Sequence, residues 1–294
     1  MNEILIDKKA ARAAFNRAAS SYDAVAELQL EIGNRLLERL DIIKMIPSTI
    51  LDVGCGTGTV TQQLAQRYRR ASIFALDYAD QMLTVTNSKK TWRQKYWQRN
   101  LQVVCGDAEK LPVKSQSIDF IFSNLTLQWC NNLDQTFVEF RRILKPGGLL
   151  MFSTLGPDTL KELRSSWQKI DSHQHVHSFI DMHDIGDAVL RAGLTDPVMD
   201  MENFTITYSD VKQLMRELKQ LGAHNASPQR SQHLTGKSHF KQLLSNYQQY
   251  RQDGLYPASY EAVYGHAWAP ISSNQSNSDT TSVNVAFYNS KIRG

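Results

Sequence analysis

The sequence predicts an α/β protein: a doubly wound, mainly parallel, seven-stranded sheet with a helical N-terminal lid and a helical insertion before the last strand. Two observations carry this expectation. Strand-sized apolar runs alternate with helical segments between residues 49 and 154, the order that builds right-handed βαβ units. The first of those runs ends in a glycine-rich turn, Asp52-Val-Gly-Cys-Gly-Thr-Gly58, and glycine supplies the backbone freedom that a tight strand-to-helix turn needs.

Taken in order, residues 8–40 read as two helices broken near Ser20-Ser-Tyr-Asp23. The second repeats apolar side chains at Val25, Leu28, Ile32, Leu36 and Leu40, a helical spacing. Residues 49–53 form the first strand and 59–69 the helix after the turn. A strand over 72–76 ends at Asp77, and a helix over 79–90, strands over 101–105 and 118–123 and a helix over 133–144 follow. Lys145-Pro-Gly-Gly148 is expected to stop that helix, and 149–154 is the next strand. Beyond Thr154 the alternation loosens. Helices are expected over 160–170 and 185–192, an alternating strand over 199–208, inserted helices over 211–221 and 239–250, and a last strand over 260–268. From Ile271 onward Ser, Asn, Gln and Thr dominate, and the segment reads as a disordered tail. The expected organisation is a lid (1–45), a core (46–208), a cap (209–252), a last core strand (253–270) and a tail (271–294).

The 294 residues are 41% apolar and 21% charged, ordinary for a soluble globular protein. The most apolar stretches, 118–122 and 149–152, are far too short to span a membrane. Met1-Asn-Glu-Ile-Leu-Ile-Asp7 lacks the basic and apolar regions of a secretory signal. Cys55, Cys105 and Cys130 are an odd number without a CxxC pair, so no disulfide framework is expected and a cytoplasmic setting fits. A net charge of +4 makes no case for nucleic acid, while leaving room for a local basic patch.

The turn selects its ligand by what it lacks. Gly54, Gly56 and Gly58 depart from the G-x-G-x-x-G spacing of dinucleotide sites, and no P-loop lysine follows, which disfavours a nicotinamide oxidoreductase. Asp52 inside the turn would repel phosphate but suits a cationic ligand. Asp77 closes the second strand, where a carboxylate accepts from both hydroxyls of a ribose. Asp107, with Ala108 beside it, closes the third, where it accepts from an adenine amino group. Asn124 closes the fourth, where a methionine tail would lie. Singly, Asp77 also suits a helix N-cap and Asp107 a turn. Together, three acids at successive strand ends and no phosphate cradle describe S-adenosyl-L-methionine. Over residues 49–154 this constellation resembles the class I methyltransferases, which implies a Rossmann-like core.

The flanks are similar to the malonyl-acyl carrier protein O-methyltransferases of biotin synthesis. The resembling segments are Phe15-Asn-Arg-Ala-Ala19 with Tyr22-Asp23 and Leu28-Gln29, Ser123-Asn-Leu-Thr-Leu-Gln-Trp-Cys130, Thr154 to Arg164 with Trp167, His175 with Phe179, Arg216 to Ala223, and Gly254-x-Tyr256-Pro-x-x-Tyr260. The resemblance covers roughly residues 10–268 and implies methylation of the free carboxylate of malonyl-acyl carrier protein. Such a carboxylate is already ionised near neutral pH, since carboxyl groups titrate near ~4, so no general base is needed. The enzyme must align oxygen, methyl and sulfur and exclude water. Candidates for the acceptor side are Tyr22, Gln128, Trp129, His175, Arg164 and Arg216, an arginine being able to hold a carboxylate in bidentate fashion. Lys212, Arg216, Lys219, Arg230, Lys237 and Lys241 are the expected basic rim for an acidic carrier protein. The run Asp171-Ser-His-Gln-His-Val-His177 lacks a second ligand motif, and no metal is expected. The alternatives are a methyltransferase of a quinone or other small molecule, which would need a base such as His175, and a chain that only binds the methyl donor.

Overall fold

The computed structural model describes residues 6–92, 94–95, 100–223, 225–227 and 236–271. Helices α1 (Lys8–Ala18) and α2 (Glu27–Glu38) precede β1 (Thr49–Val53). Then come α3 (Thr59–Arg67), β2 (Ser72–Asp77), α4 (Asp80–Ser88), β3 (Leu101–Cys105), β4 (Ile118–Asn124), α5 (Leu133–Ile143) and β5 (Leu144–Leu155). The chain continues through α6 (Lys161–Gln168), α7 (Met182–Arg191), β6 (Thr195–Tyr208), α8 (Val211–Gln220), α9 (Lys237–Tyr247) and β7 (Tyr256–Trp268).

The seven strands form one sheet in the order β3-β2-β1-β4-β5-β7-β6. The first five are parallel, and β7 runs antiparallel between β5 and β6. The strand order reverses between β1 and β4, so the crevice at their carboxyl ends is where an open α/β sheet takes its ligand. The predicted sheet is therefore the one observed.

Both faces of the sheet are buried, which is why its central strands read as apolar runs. On β4, Phe120 and Phe122 join the core beneath α2, α3 and α6, while Ile121 between them joins the core beneath α5 and α7. β5 divides likewise, Leu149 and Met151 to one face and Leu150 and Phe152 to the other.

Three strands start earlier than expected. Lys145-Pro-Gly-Gly148 does not merely end α5; Leu144 already pairs with Ile118, and the segment opens β5 across a register shift. β6 begins at Thr195, opposite Trp268, rather than at 199. β7 begins at Tyr256, because Tyr256 to Ser259 pair with the far end of β6. Arg230 and residues 272–294 lie outside the described residues. Among the described residues no helix is long and apolar enough to cross a membrane.

Candidate active site

A cavity of about 280 Å³ opens at the carboxyl ends of β1, β2, β3 and β4. Its floor is the glycine turn. Gly54, Gly56 and Gly58 have φ of +73°, +55° and +77°, the left-handed region that side chains rarely tolerate. Sterics add to this at two of them. A Cβ at Gly54 would stand 1.9 Å from Thr126 Oγ1, and one at Gly58 2.5 Å from Thr86 Cγ2. A Cβ at Gly56 would meet nothing within 4 Å, so that glycine is open to the cavity. Gly58 does not line the cavity; it is the N-cap residue of α3.

Asp77 anchors the turn. Its Oδ2 accepts from Gly56 N at 2.9 Å and its Oδ1 from Ala79 N at 2.8 Å. Asp77 is thus not the N-cap of α4, which is Ala79 without a side-chain cap; it binds the Ala79 N–H just ahead of the helix, and each oxygen keeps a further lone pair. Burial raises the Asp77 carboxyl above the usual range, against the pull of the backbone donors of Ala79, Gly56 and Tyr78. Asp52 lies deeper, 2% exposed, and accepts from Thr61 Oγ1 at 2.5 Å. Burial pushes its carboxyl up to about 7, against the Thr61 hydrogen bond, and the charge of Asp77 adds to the rise. Two buried acids with few cations about them form a cavity end that favours positive charge. Burial, with Asp77 and Asp52, also raises the Cys55 thiol, which therefore stays protonated.

Asp107 and Ala108 line the cavity beyond β3. Asp107 also receives an ion pair from the lid, Lys8 Nζ lying 2.7 Å from its Oδ2, and the same ammonium reaches Glu109. Asn124 closes β4, with Nδ2 donating to Gln29 O at 2.9 Å and Oδ1 accepting from Ser153 Oγ at 2.7 Å. Leu125 follows with φ of +52°, a strained conformation held by Leu125 N donating to Ser153 O. The 3-10 turn Leu127–Trp129 comes next and brings Gln128 and Trp129 to the cavity. Gln128 Nε2 donates to Leu125 O at 2.7 Å and Oε1 accepts from Thr154 Oγ1 at 3.2 Å, so its amide is committed to shaping the wall. Trp129 is held edge-on between Phe15 (4.9 Å) and His177 (5.4 Å).

The N-terminal helical segment lines the top. Tyr22 lines the cavity and packs with Ala19, Ala79 and Met82. Burial, then the charges of Asp77 and Asp23, raise its hydroxyl, so it stays neutral. Asp23 ties the lid to the turn through Thr57 Oγ1 at 2.5 Å and Lys89 Nζ at 2.5 Å.

Three sequence candidates are not brought to this cavity. His175 stacks on Trp167 at 3.8 Å and hydrogen-bonds Asp171 at 2.9 Å, which turns it away from the cavity; His177, two residues on, lines it instead. Arg216 is exposed on α8, its Nε donating to Lys212 O of the same helix. Arg164 spends its guanidinium on the carbonyls of Pro157 and Thr159. The three histidines of the 171–177 run thus point to different surroundings, and among the described residues no three of His, Cys, Asp and Glu converge as metal ligands do. Sequence reasoning missed Lys8, Phe15, Gln29 and His177 as lining residues.

The site fits S-adenosyl-L-methionine: glycines for close approach, acids at the ends of β1, β2 and β3, and a polar end at β4. Residues 51–152 match the family described as "Methyltransferase domain". The fold is similar to the YcgJ protein from Bacillus subtilis, with TM-score 0.56, 17% identity, and coverage of 81% of this chain and 98% of that one. It is also similar to Haemonchus contortus phosphoethanolamine N-methyltransferase 2 in complex with S-adenosyl-L-methionine, with TM-score 0.54, 17% identity, and coverage of 87% of this chain and 57% of that one. At such identities these likenesses concern the fold alone. Sequence relatives reach further. A malonyl-[acyl-carrier protein] O-methyltransferase of Gallionella capsiferriformans (strain ES-2) is 52% identical over 92% of this chain and 93% of the relative. Malonyl-[acyl-carrier protein] O-methyltransferase 1 of Coxiella burnetii (strain RSA 493 / Nine Mile phase I) is 46% identical over 95% and 94%. On that identity and coverage, the chain belongs to the malonyl-[acyl-carrier protein] O-methyltransferase family.

Proposed function

We propose that the chain transfers a methyl group from S-adenosyl-L-methionine to the free carboxylate of a malonyl group carried on acyl carrier protein, the methyl ester then entering biotin synthesis. One observation supports this most directly. The cavity that holds Asp77 and Asp107 at one end is also lined by Leu160, Phe179, Leu218, Leu221 and Tyr260, so a single space has a cation-favouring end and an apolar approach.

The bound donor supplies an electrophilic methyl group on a sulfonium. The chain's residues do the rest by placement. Asp77 takes the ribose hydroxyls, Asp107 and Ala108 the adenine, and Asp52 with Gly54 and Gly56 the region under the sulfonium, while Asn124 holds the β4 end. Tyr22 closes over the donor and offers its hydroxyl proton. Gln128 and Trp129 form the wall on the acceptor side, and their fixed rotamers hold the incoming carboxylate in line while excluding water. His177 takes the cavity-facing place first expected of His175. An acceptor that is already an anion needs no base, and among the described residues no arginine lines the acceptor end to neutralise it.

The carrier protein approaches α8. Lys212, Arg216 and Lys219 are exposed on its outer side, and Lys237 and Lys241 are exposed on α9, while Leu218 and Leu221 of α8 line the cavity. An acidic partner seated there would deliver a flexible arm past the same helix. We place the reaction in the cytoplasm, with neither membrane nor nucleic acid involved. The deciding experiment incubates the protein with labelled methyl donor and malonyl-acyl carrier protein and weighs the product. A carrier gaining one methyl group, with no quinone methylated in a parallel panel, supports the reading; an unmodified carrier refutes it.

A further inference from the structure

Gln29 lines the cavity, yet its side-chain Oε1 is buried and, among the described residues, accepts no hydrogen bond. A buried amide oxygen without a donor is costly, and rotation of the side-chain amide would turn it into the cavity, where a ligand can bring the donor. We propose that Gln29 is the residue that recognises the amino-acid end of the cofactor, its amide bonding to the ammonium and carboxylate of the methionine moiety. This rests on the cofactor reading given above.

The placement follows from the sheet. Asp107 follows β3, and Asn124 ends β4, three strand positions away in the order β3-β2-β1-β4. At the usual spacing between strands that is about 14 Å. A ligand with its adenosine held at β3 and β2 directs its other end toward β4. Gln29 is tied to that same end, since its main-chain oxygen accepts from Asn124 Nδ2 at 2.9 Å.

One turn further along α2, Gly33 allows the close approach. A Cβ there would stand 2.8 Å from Val60 Cγ2 and 3.0 Å from Asn124 Nδ2. The helix can therefore lie against the mouth of β1 and β4 and bring Gln29 with it, since residues four apart share a helix face.

The chemistry of the amide matches the ligand. A primary amide carries an acceptor and a donor on one carbon, and an amino-acid zwitterion carries a donor and an acceptor on one carbon. The lysine and arginine among the lining residues are Lys8 and Arg12. Both are ion-paired away from β4, with Asp107 and with Asp80. A neutral amide, rather than a cation, therefore meets the zwitterion.

The test compares two ligands by calorimetry. S-adenosylhomocysteine has the amino-acid end, and 5′-methylthioadenosine is the same thioether without it. Gln29→Met keeps the length of the side chain and removes both hydrogen-bonding groups. The affinity for S-adenosylhomocysteine should fall about tenfold, with methylthioadenosine unchanged. Gln29→Glu keeps an acceptor but repels the carboxylate, and should show the same selective loss. Equal losses for both ligands would mean a packing role and overturn the assignment, as would no loss for either. Failure of the unaltered protein to bind either ligand would instead overturn the cofactor reading, and this assignment with it.

Discussion

Lys8 and Asp107 stand 99 positions apart in sequence, yet Lys8 Nζ lies 2.8 Å from Asp107 Oδ1 and 2.7 Å from its Oδ2. Helix α1 is thus fastened to the carboxylate proposed for the adenine end of the site. The fastening continues along α1, where Arg12 and Asn16 both reach Asp80 at 3.2 and 2.9 Å. We propose that the cofactor enters and leaves past α1, so that these contacts must part.

Removing the ammonium should therefore speed exchange more than it weakens the fold. In Lys8→Met, the dissociation rate of S-adenosylhomocysteine is expected to rise about fivefold, since changes at one interface fall mostly on the off-rate. Because the pair is partly exposed, the same rate in the unaltered protein should rise with salt, and in the variant that salt dependence should flatten. Stopped-flow displacement measures both; an unchanged rate in Lys8→Met would show that the lid is not held there.

Asp52 makes the apo protein sensitive to pH. Its carboxyl is raised from 3.8 to about 7 by burial, so across that interval the unfolded chain has lost a proton that the folded chain retains. Stability from this group is fully present below about 4 and is lost as pH rises toward 7. Asp52→Asn cannot ionise, so its melting temperature should fall less than that of the unaltered protein between pH 5 and about 7.5. The same proton bears on ligand preference. A sulfonium favours ionised Asp52, whereas the neutral thioether of the product does not. The affinity for S-adenosyl-L-methionine relative to S-adenosylhomocysteine should rise as pH passes through about 7, and a pH-independent ratio would remove Asp52 from contact with the charge.

The cofactor end was legible because its residues sit at strand termini, where period and turn chemistry fix direction: Gly54, Asp77 and Asp107 follow from where β1, β2 and β3 stop. The acceptor end was not legible in the same way. His175 and His177 share an irregular segment, and no periodicity says which ring turns inward; packing on Trp167 decides it. Arg164 lies beside a loop whose free carbonyls capture it, and such carbonyls leave no mark in a sequence. Arg216 is different. Leu214, Leu218 and Leu221 recur at helical spacing, and Arg216 is rotated about 200° from Leu214 at 100° per residue, so its outward position was readable from the helix alone.

Asp77 holds the backbone of the turn, and the ribose contact proposed for it can be tested apart from that. Asp77→Ala removes the acceptors for the ribose and for Gly56 N and Ala79 N. Cofactor affinity should weaken at least about tenfold, the loss of a charge-assisted hydrogen bond, while circular dichroism shows the fold intact. Asp77→Asn keeps one acceptor and should recover part of the loss. An unchanged affinity in Asp77→Ala would count against the ribose assignment.

The outward face of α8 makes the last prediction independent of the cofactor. Arg216 and Lys219 are exposed there, and neither lines the cavity, so reversing their charge leaves the chemistry untouched. For a protein partner the change is large, because rim charges govern encounter and its salt dependence. In the double variant Arg216→Glu, Lys219→Glu, the Michaelis constant for malonyl-acyl carrier protein should rise about tenfold or more, while that for a small malonyl thioester stays within about twofold. Steady-state kinetics on both substrates decide it, because a rise shared equally by the two would mean that the variant has disturbed the cavity through α8 rather than a carrier docked on its surface.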